Sequence, residues 1–458
     1  MEDLKAHDIA PTHLVAVNLY PFLEKCSECL GLEDMLEYVD IGGSALIRAA
    51  AKNFPRVVVI VDPVDYKWVE ERLANDKWST AFSLQDRQRL AIKAFQHSAA
   101  YDAAVSRWLS SNLSSSQSQP MSPSYPEELP FAYKKVKDLK YGENPHQVAA
   151  VYQDPLFRNV TGGLAHAKQL HGPDMGFNNF IDAEAALRAI ASFSEAGVSI
   201  VKHTNTCGLA LHDDLVIAYQ RALAGDPVSA YGGIVATNRK VTLALAEAMK
   251  GVFFEVLVCA EIESEALERL RKRAKLRVLQ VPVQTLEYFK SNRINPVSDV
   301  RVISGGLLVQ SNDTTQPGDD CSNWKLVTDP KKPASDEQLR DLQFAWRVCK
   351  FVKSNAIVVC KNNAILGIGP GQPNRLQSIE LALRKAGEDV VGSVLASDAF
   401  MPFGDNVEGM VYAYMSISFS LCVCTCVCVC VCVCVCVYIC VCFWFIVAIF
   451  GFLVCRCF

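Results

Sequence analysis

Residues 198–208 read VSIVKHTNTCG. A mostly apolar run stops at Lys202 and His203, and a Thr-Asn-Thr-Cys-Gly string follows. This is an apolar strand running into a polar turn. The same alternation extends outward. HDDLVIAYQRALAGD (212–226) has helical periodicity, and GGIVATN (232–238) reads as a strand. SEALERLRKRA (264–274) is helical and KLRVLQVP (275–282) a strand. DEQLRDLQFAWRVCKFVK (336–353) predicts a helix, NAIVVCKNNAILGIGPGQ (355–372) a hairpin and NRLQSIELALRKAG (374–387) another helix. Strands alternating with helices predict an α/β architecture.

A second, smaller α/β region lies upstream. HLVAVNLYPF (13–22) and RVVVIVDP (56–63) predict strands, and SALIRAAAKN (44–53) and residues 84–109 predict helices. Apolar strands between helices predict a parallel sheet covered on both faces. The Ser- and Pro-rich string LSSSQSQPMSPSYPEEL (113–129) reads as a linker. The division expected is therefore 1–109, linker 110–127, main domain 128–408 and an anomalous tail 409–458.

Composition narrows the function classes. The 458 residues suit two or three domains. Forty-five Lys and Arg against 49 Asp and Glu give a net charge of −4. That balance excludes a basic nucleic-acid binder and a disordered acidic chain. Twelve of the 19 cysteines lie between Cys422 and Cys457; seven scattered over the rest indicate reduced thiols rather than a disulfide framework. Cys26 and Cys29 have no second pair nearby, so their spacing reads as chance. The first fifteen residues carry charges and no apolar run, so no signal peptide is expected.

The tail has one charged residue, Arg456, and a Val-Cys repeat. Its length and apolarity resemble a membrane span, but a period of two suits a strand. Val-Cys is also what an in-frame GT dinucleotide repeat encodes. The reading adopted is translated non-coding repeat; a membrane anchor and a metal-binding tail are the alternatives, and a membrane partner is expected only if the tail is real.

Polar clusters sit at the ends of apolar runs, where open α/β sheets place ligands. LKYGENPHQ (139–147) holds Lys140, Tyr141 and His146, and reads equally as a hydrogen-bonded turn. Lys202 and His203 are neighbours, and successive strand residues point to opposite faces. They can serve one site only if the strand ends or bends here; otherwise they read as a solvated lysine and a structural histidine. A histidine beside a cation is kept neutral near pH 7 and available as a base, and a lysine can supply a proton or steady an oxyanion. DPVSAYGGIVATN (226–238) offers Gly232 for close approach of backbone to a ligand, or for a tight turn. KSNAIVV (353–359) and GIGPGQPNR (367–375) offer Asn355 as donor and acceptor and, at a helix start, Arg375 for a phosphate, or read as a Gly-rich hairpin end with a solvated arginine. Neither a nucleoside-triphosphate loop nor a dinucleotide fingerprint is present. SDAFMPFGDN (397–406) places Phe400 and Phe403 beside Asp398, suited to stacking a planar heterocycle or to core packing.

Taken in order, VNLYPF, DIGG-x4-R-AAAKN, KYGENPHQ, VKHTN-x-CG, DPVSA-Y-GGI, SNAIV, GIG-x-GQ-x-x-R and SDAF-x-PF-x-DN resemble the bifunctional purine-biosynthesis family. That family joins an IMP cyclohydrolase domain to an AICAR formyltransferase domain. The resemblance implies a partial methylglyoxal-synthase-like parallel-sheet domain followed by a larger α/β formyltransferase domain with cytidine-deaminase-like halves. It implies formyl transfer from 10-formyltetrahydrofolate, a cosubstrate, to AICAR, with no tightly bound cofactor and no metal. His203 would assist deprotonation of the acceptor amine, Lys202 would protonate the leaving folate nitrogen or steady the oxyanion, and Asn355 would hold the formyl oxygen. Lys140, Tyr141, His146, Gly232, Arg375 and Phe400 fall on substrate-contacting positions. Asn18, Tyr20, Asp40, Gly42, Gly43 and Lys52 fall on the cyclohydrolase pattern. A cytosolic homodimer is implied. The family's first strand, its Lys-Thr-Leu-His-Pro segment and its C-terminal segment have no counterpart here. Loss of cyclohydrolase activity is therefore expected, and formyl transfer is in question.

Overall fold

The computed structural model describes residues 6–28, 30–76, 78–113, 125–156, 162–290, 299–313, 324–326, 334–399, 421–425 and 431–435. They divide into two compact units, Met1–Val136 with Tyr152–Val160, and Lys137–Val151 with Thr161–Phe458.

In the smaller unit, strands β1 (Leu14–Ala16) and β2 (Val58–Ile60) pair in parallel, Val15 opposite Val59. Helices α1 (Ile41–Lys52) and α2 (Leu84–Leu113) pack with them. The apolar strand residues and the Ala-rich faces of both helices build one core around Ile47, Val58, Ile60, Leu90 and Ala94. The expected strand 13–22 shrinks to three residues, because backbone past Ala16 turns toward a short helix at Phe22–Lys25. Helix α2 continues past the expected end at 109.

The larger unit is built on one mixed sheet. Its strands are β3 (Lys168–His171), β4 (Gly197–Lys202), β5 (Asn205–Leu211), β6 (Gly233–Thr237), β7 (Phe254–Cys259) and β8 (Arg277–Gln280). A separate hairpin pairs β9 (Asp299–Ile303) with β10 (Gly306–Gln310). The sheet continues with β11 (Lys325–Leu326), β12 (Ile357–Lys361), β13 (Ala364–Gly369), β14 (Val394–Ser397), β15 (Leu421–Thr425) and β16 (Val431–Val435). The order is β11-β16-β15-β14-β12-β13-β5-β4-β6-β7-β8-β3. The two described pieces of the Val-Cys repeat are thus strands, as a period of two demands.

The strands at the centre are buried along nearly their whole length, which explains runs without polar alternation. Helices α3 (Phe177–Ala191), α4 (Leu215–Gly225), α5 (Pro227–Ala230), α6 (Ser264–Arg271), α7 (Asp336–Cys349) and α8 (Arg375–Ala386) accompany them. Val201, Leu209 and Ile234 enter one core with α3 and α7 residues; Val198, Ile200 and Val235 enter another with α4.

The centre of this sheet is an internal repeat. Helix α3, hairpin β4–β5, helix α4 and strand β6 recur as α7, β12–β13, α8 and β14. In each half the hairpin's first strand also pairs antiparallel with the third strand. The halves meet where β13 runs antiparallel to β5, Ala364 opposite Ala210. The Thr-Asn-Thr-Cys-Gly string expected to be only a turn supplies β5, because its Asn205–Leu211 backbone pairs back onto β4.

Candidate active site

Lys202 is the last residue of β4, and His203 begins the two-residue connection to β5. The strand therefore ends between the two side chains, the condition for their serving one site. His203 and Thr204 have φ of 51° and 62°. Positive φ at both central residues is what a tight hairpin turn matching strand twist requires. It is uncommon without glycine, and a β-branched threonine is an outlier there. The carboxylate of Asp182, in the second turn of α3, accepts from His203 N at 3.1 Å and Thr204 N at 2.7 Å. His203 O in turn accepts from Thr204 Oγ1 at 2.7 Å and Asn205 Nδ2 at 3.0 Å. Lys202 Nζ donates to Tyr231 O at 2.8 Å. Gly232, at φ 77°, donates its N–H to Phe253 O. Lys202, His203 and the Tyr231–Gly232 corner thus form one group.

Asn355 precedes β12. Its Nδ2 donates to Gln372 O at 2.8 Å and Pro373 O at 3.1 Å, and its Oδ1 accepts from Arg375 Nη2 at 2.6 Å. Arg375 opens α8. Its other terminal nitrogen, Nη1, donates to Ser397 Oγ at 2.7 Å and Asp398 Oδ1 at 2.5 Å. Asp398 Oδ1 also accepts from Ala356 N at 3.0 Å. Burial pushes the Asp398 carboxyl up, but hydrogen bonds from Ser354, Arg375 and Ala356 N–H prevail and hold it below its ordinary value. The Arg375 guanidinium fixes Asn355 and Asp398. The antiparallel β13–β5 register brings the end of β13 that leads to Gln372 beside the end of β5 that follows His203. The Asn355 group and the His203 turn share one end of the central strands.

The loop carrying Lys140, Tyr141 and His146 is folded on itself. Gly142 N donates to Gln147 O at 2.8 Å, and Gln147 Oε1 accepts from Asn144 N at 2.7 Å. A Cβ on Gly142 would lie 2.8 Å from Gln147 Cβ, so the turn requires glycine. Lys140 Nζ lies 5.8 Å from the Tyr141 ring centroid. Asn178 of α3 donates to Glu143 O at 3.3 Å, and Asn179 Nδ2 reaches Glu255 Oε2 at 2.7 Å. Phe400 lies outside the described residues.

Helix α3 therefore organises the site through Asn178, Asn179 and Asp182, none of which the motifs singled out. The signal was present in GFNNFID (176–182): three polar side chains on the first two turns of a helix whose remaining residues are apolar except Glu184 and Arg188. Their partners are 21 to 76 residues away and leave no local trace.

In the smaller unit Asp40 caps α1, accepting from Gly43 N at 2.6 Å. A Cβ on Gly43 would fall 2.6 Å from Asp40 Oδ2, whereas one on Gly42 would meet nothing. Asp40 N donates to Tyr101 OH at 2.9 Å, and Tyr101 OH donates to Tyr38 O. A cavity of 540 Å³ opens here between Asp40, Ser44, Tyr101 and Leu109. Asn18 Oδ1 accepts from Tyr66 OH at 3.0 Å, and Tyr20 is exposed. Lys52 ends the helix that Asp40 caps, roughly 17 Å farther along its axis at 1.5 Å per residue. The structure does not bring Lys52 to Asp40.

The sequence also matches known proteins. A "Bifunctional purine biosynthesis protein purH" from Dictyostelium discoideum is 45% identical over 428 residues, covering 89% of this chain and 77% of that protein. A "Bifunctional purine biosynthesis protein PurH" from Trichodesmium erythraeum is 45% identical over 410 residues, covering 89% and 75%. A solved chain described as "Crystal structure of ForH" aligns at 35% identity over 23% of this chain and 54% of that one, with a TM-score of 0.20. Residues 50–385 match the model of the AICARFT/IMPCHase bienzyme, and with these identities the chain belongs to that family.

Proposed function

We propose that the larger unit transfers a formyl group from 10-formyltetrahydrofolate to the 5-amino group of AICAR, a step of de novo purine biosynthesis. The observation that carries this reading is the His203 turn, held by Asp182 beside Lys202 and Gly232 at the strand end that also receives Asn355. The acceptor amine is conjugated with the imidazole and carboxamide of AICAR and is a poor nucleophile. It must lose a proton as its nitrogen attacks the formyl carbon. His203 takes up that proton through the neighbouring carboxamide, and Lys202 protonates the folate nitrogen as its bond to the formyl carbon breaks. Asn355, oriented by Arg375, steadies the formyl oxygen with one N–H that turns to the substrate from its carbonyl partner at Pro373. The products are formyl-AICAR and tetrahydrofolate. Lys140, Tyr141, His146, Gly232 and Arg375 contact the substrates in this reading, and folate enters as a cosubstrate.

Ring closure of formyl-AICAR to IMP is, in the family, the work of the cyclohydrolase domain, whose pattern the residues around Asp40, Asn18 and Tyr20 match here. The repeated helix–hairpin–helix–strand unit supports cytidine-deaminase-like halves within residues 128–408, and the parallel β1–β2 pair with its helices supports a methylglyoxal-synthase-like region within residues 1–109. A cytosolic homodimer fits the family. The test is formyl transfer by the purified full chain: His203→Ala lowers kcat by about two to three orders of magnitude, the usual worth of a positioned base. A wild-type rate in His203→Ala refutes the assignment.

A further inference from the structure

We infer that Asp182 is a positioning residue for formyl transfer, its carboxylate gripping the N–H groups of His203 and Thr204 so that the imidazole is presented from a fixed left-handed turn. This rests on the reading of His203 as the reacting group.

The internal repeat supplies a control inside the same molecule. In the second half, Asp341 of α7 accepts from Asn362 N at 2.9 Å and Asn363 N at 2.7 Å. These partners lie 21 and 22 residues from their aspartate, the same spacings as His203 and Thr204 from Asp182. The turn residues also match in conformation: Asn362 and Asn363 have φ of 55° and 52°. One device, a helix carboxylate across two consecutive turn amides, is thus built twice.

The two copies differ in what the turn carries. Asn362 and Asn363 are side chains that tolerate positive φ. Histidine shares that tolerance, but Thr204 occupies the same conformation less readily because it is β-branched. The first turn therefore holds one residue, Thr204, that its backbone does not favour, and the carboxylate that overrides this preference is the one beneath the reacting group. Strain concentrated in one of two otherwise equivalent turns points to function at that turn. Two charge-assisted hydrogen bonds hold it there.

The experiment compares Asp182→Asn with Asp341→Asn in the full chain. An asparagine offers one acceptor and sets its NH₂ against the second amide, so both variants weaken their turns. The proposal expects Asp182→Asn to lose at least 30-fold in kcat, with a melting temperature no lower than that of Asp341→Asn, and Asp341→Asn to stay within twofold of wild-type kcat. Adding Thr204→Gly to Asp182→Asn relieves the unfavourable φ and should recover at least fivefold. Equal kcat losses in the two single variants, or no recovery with Thr204→Gly, would overturn it. Should Asp182→Asn not fold, Asp182→Glu against Asp341→Glu gives the same comparison. A wild-type rate in His203→Ala sinks the functional reading instead. The ¹³C imidazole resonance of His203 then decides for Asp182: moved by Asp182→Asn but not by Asp341→Asn, or the proposal fails.

Discussion

Asn355 shows how a single side chain is set before any substrate arrives. Its amide nitrogen bonds two backbone carbonyls, and its oxygen accepts from Arg375, which is itself held by Ser397 and Asp398. The chain of contacts ends on the Asp398 carboxylate, whose Oδ1 accepts from both Arg375 and Ala356 N–H. This has a consequence for acid stability. Asp398 sits below its ordinary value, the opposing pull of burial notwithstanding. A group depressed in the folded state contributes stability above its unfolded value, roughly 3.9, and that contribution is lost as pH falls through the folded value. Asp398→Asn removes the dependence. The gap in urea midpoint between wild type and Asp398→Asn is expected to narrow from about pH 5 to about pH 3. A gap that stays constant or widens would contradict the role given to this carboxylate.

Element by element, the larger unit depends on strands and helices meeting closely. Gly369 ends β13 against α8, and a Cβ there would lie 1.8 Å from Ser378 O. The obstacle is backbone, which cannot swing aside. Gly369→Ala is expected to cost about 3 kcal/mol, at the upper end of overpacking effects, seen as a lowered melting temperature. An unchanged melting temperature would show that the strand and helix separate freely. The GIGPGQ stretch reads from sequence as the end of a hairpin leading to a helix start; in the structure Gly367 and Gly369 serve helix packing. This marks where legibility stops. Buried strands and amphipathic helices announce themselves through local pattern, so the alternation around residues 198–208 and 355–387 is found where the sequence places it. That Lys202, His203 and Asn355 stand at the ends of apolar strands was legible from their motifs. Asp182 and Asp341 were not, because a carboxylate on a helix says nothing about a turn 21 residues away. The second strand of the β4–β5 hairpin was hidden by the polar residues that begin it.

Across the whole larger unit the repeat sets the architecture. Asp341 follows Asp182, and Asn362 follows His203, by 159 positions, and the same step carries Asp226 to Lys385. Those two equivalent positions meet each other: Lys385 Nζ lies 2.7 Å from Asp226 Oδ2, joining the halves. Asp226 is 8% exposed and also receives Ser229, which, with Lys385, overcomes the upward push of burial and keeps its carboxyl below the ordinary value. Because the lysine is partly solvated, Lys385→Met is expected to cost about 1–2 kcal/mol rather than the full cost of breaking a buried pair. Adding Asp226→Asn should recover part of that loss, read from a double-mutant cycle. Zero coupling would mean that the Lys385–Asp226 pair adds nothing to holding the halves together. All of this scaffolding converges on one strand end and one turn. The most direct test of the account is the rate of formyl transfer from 10-formyltetrahydrofolate to AICAR by the full chain carrying His203→Ala. The account predicts a kcat lower by about two to three orders of magnitude with the fold intact; a rate equal to that of the unaltered chain would contradict it.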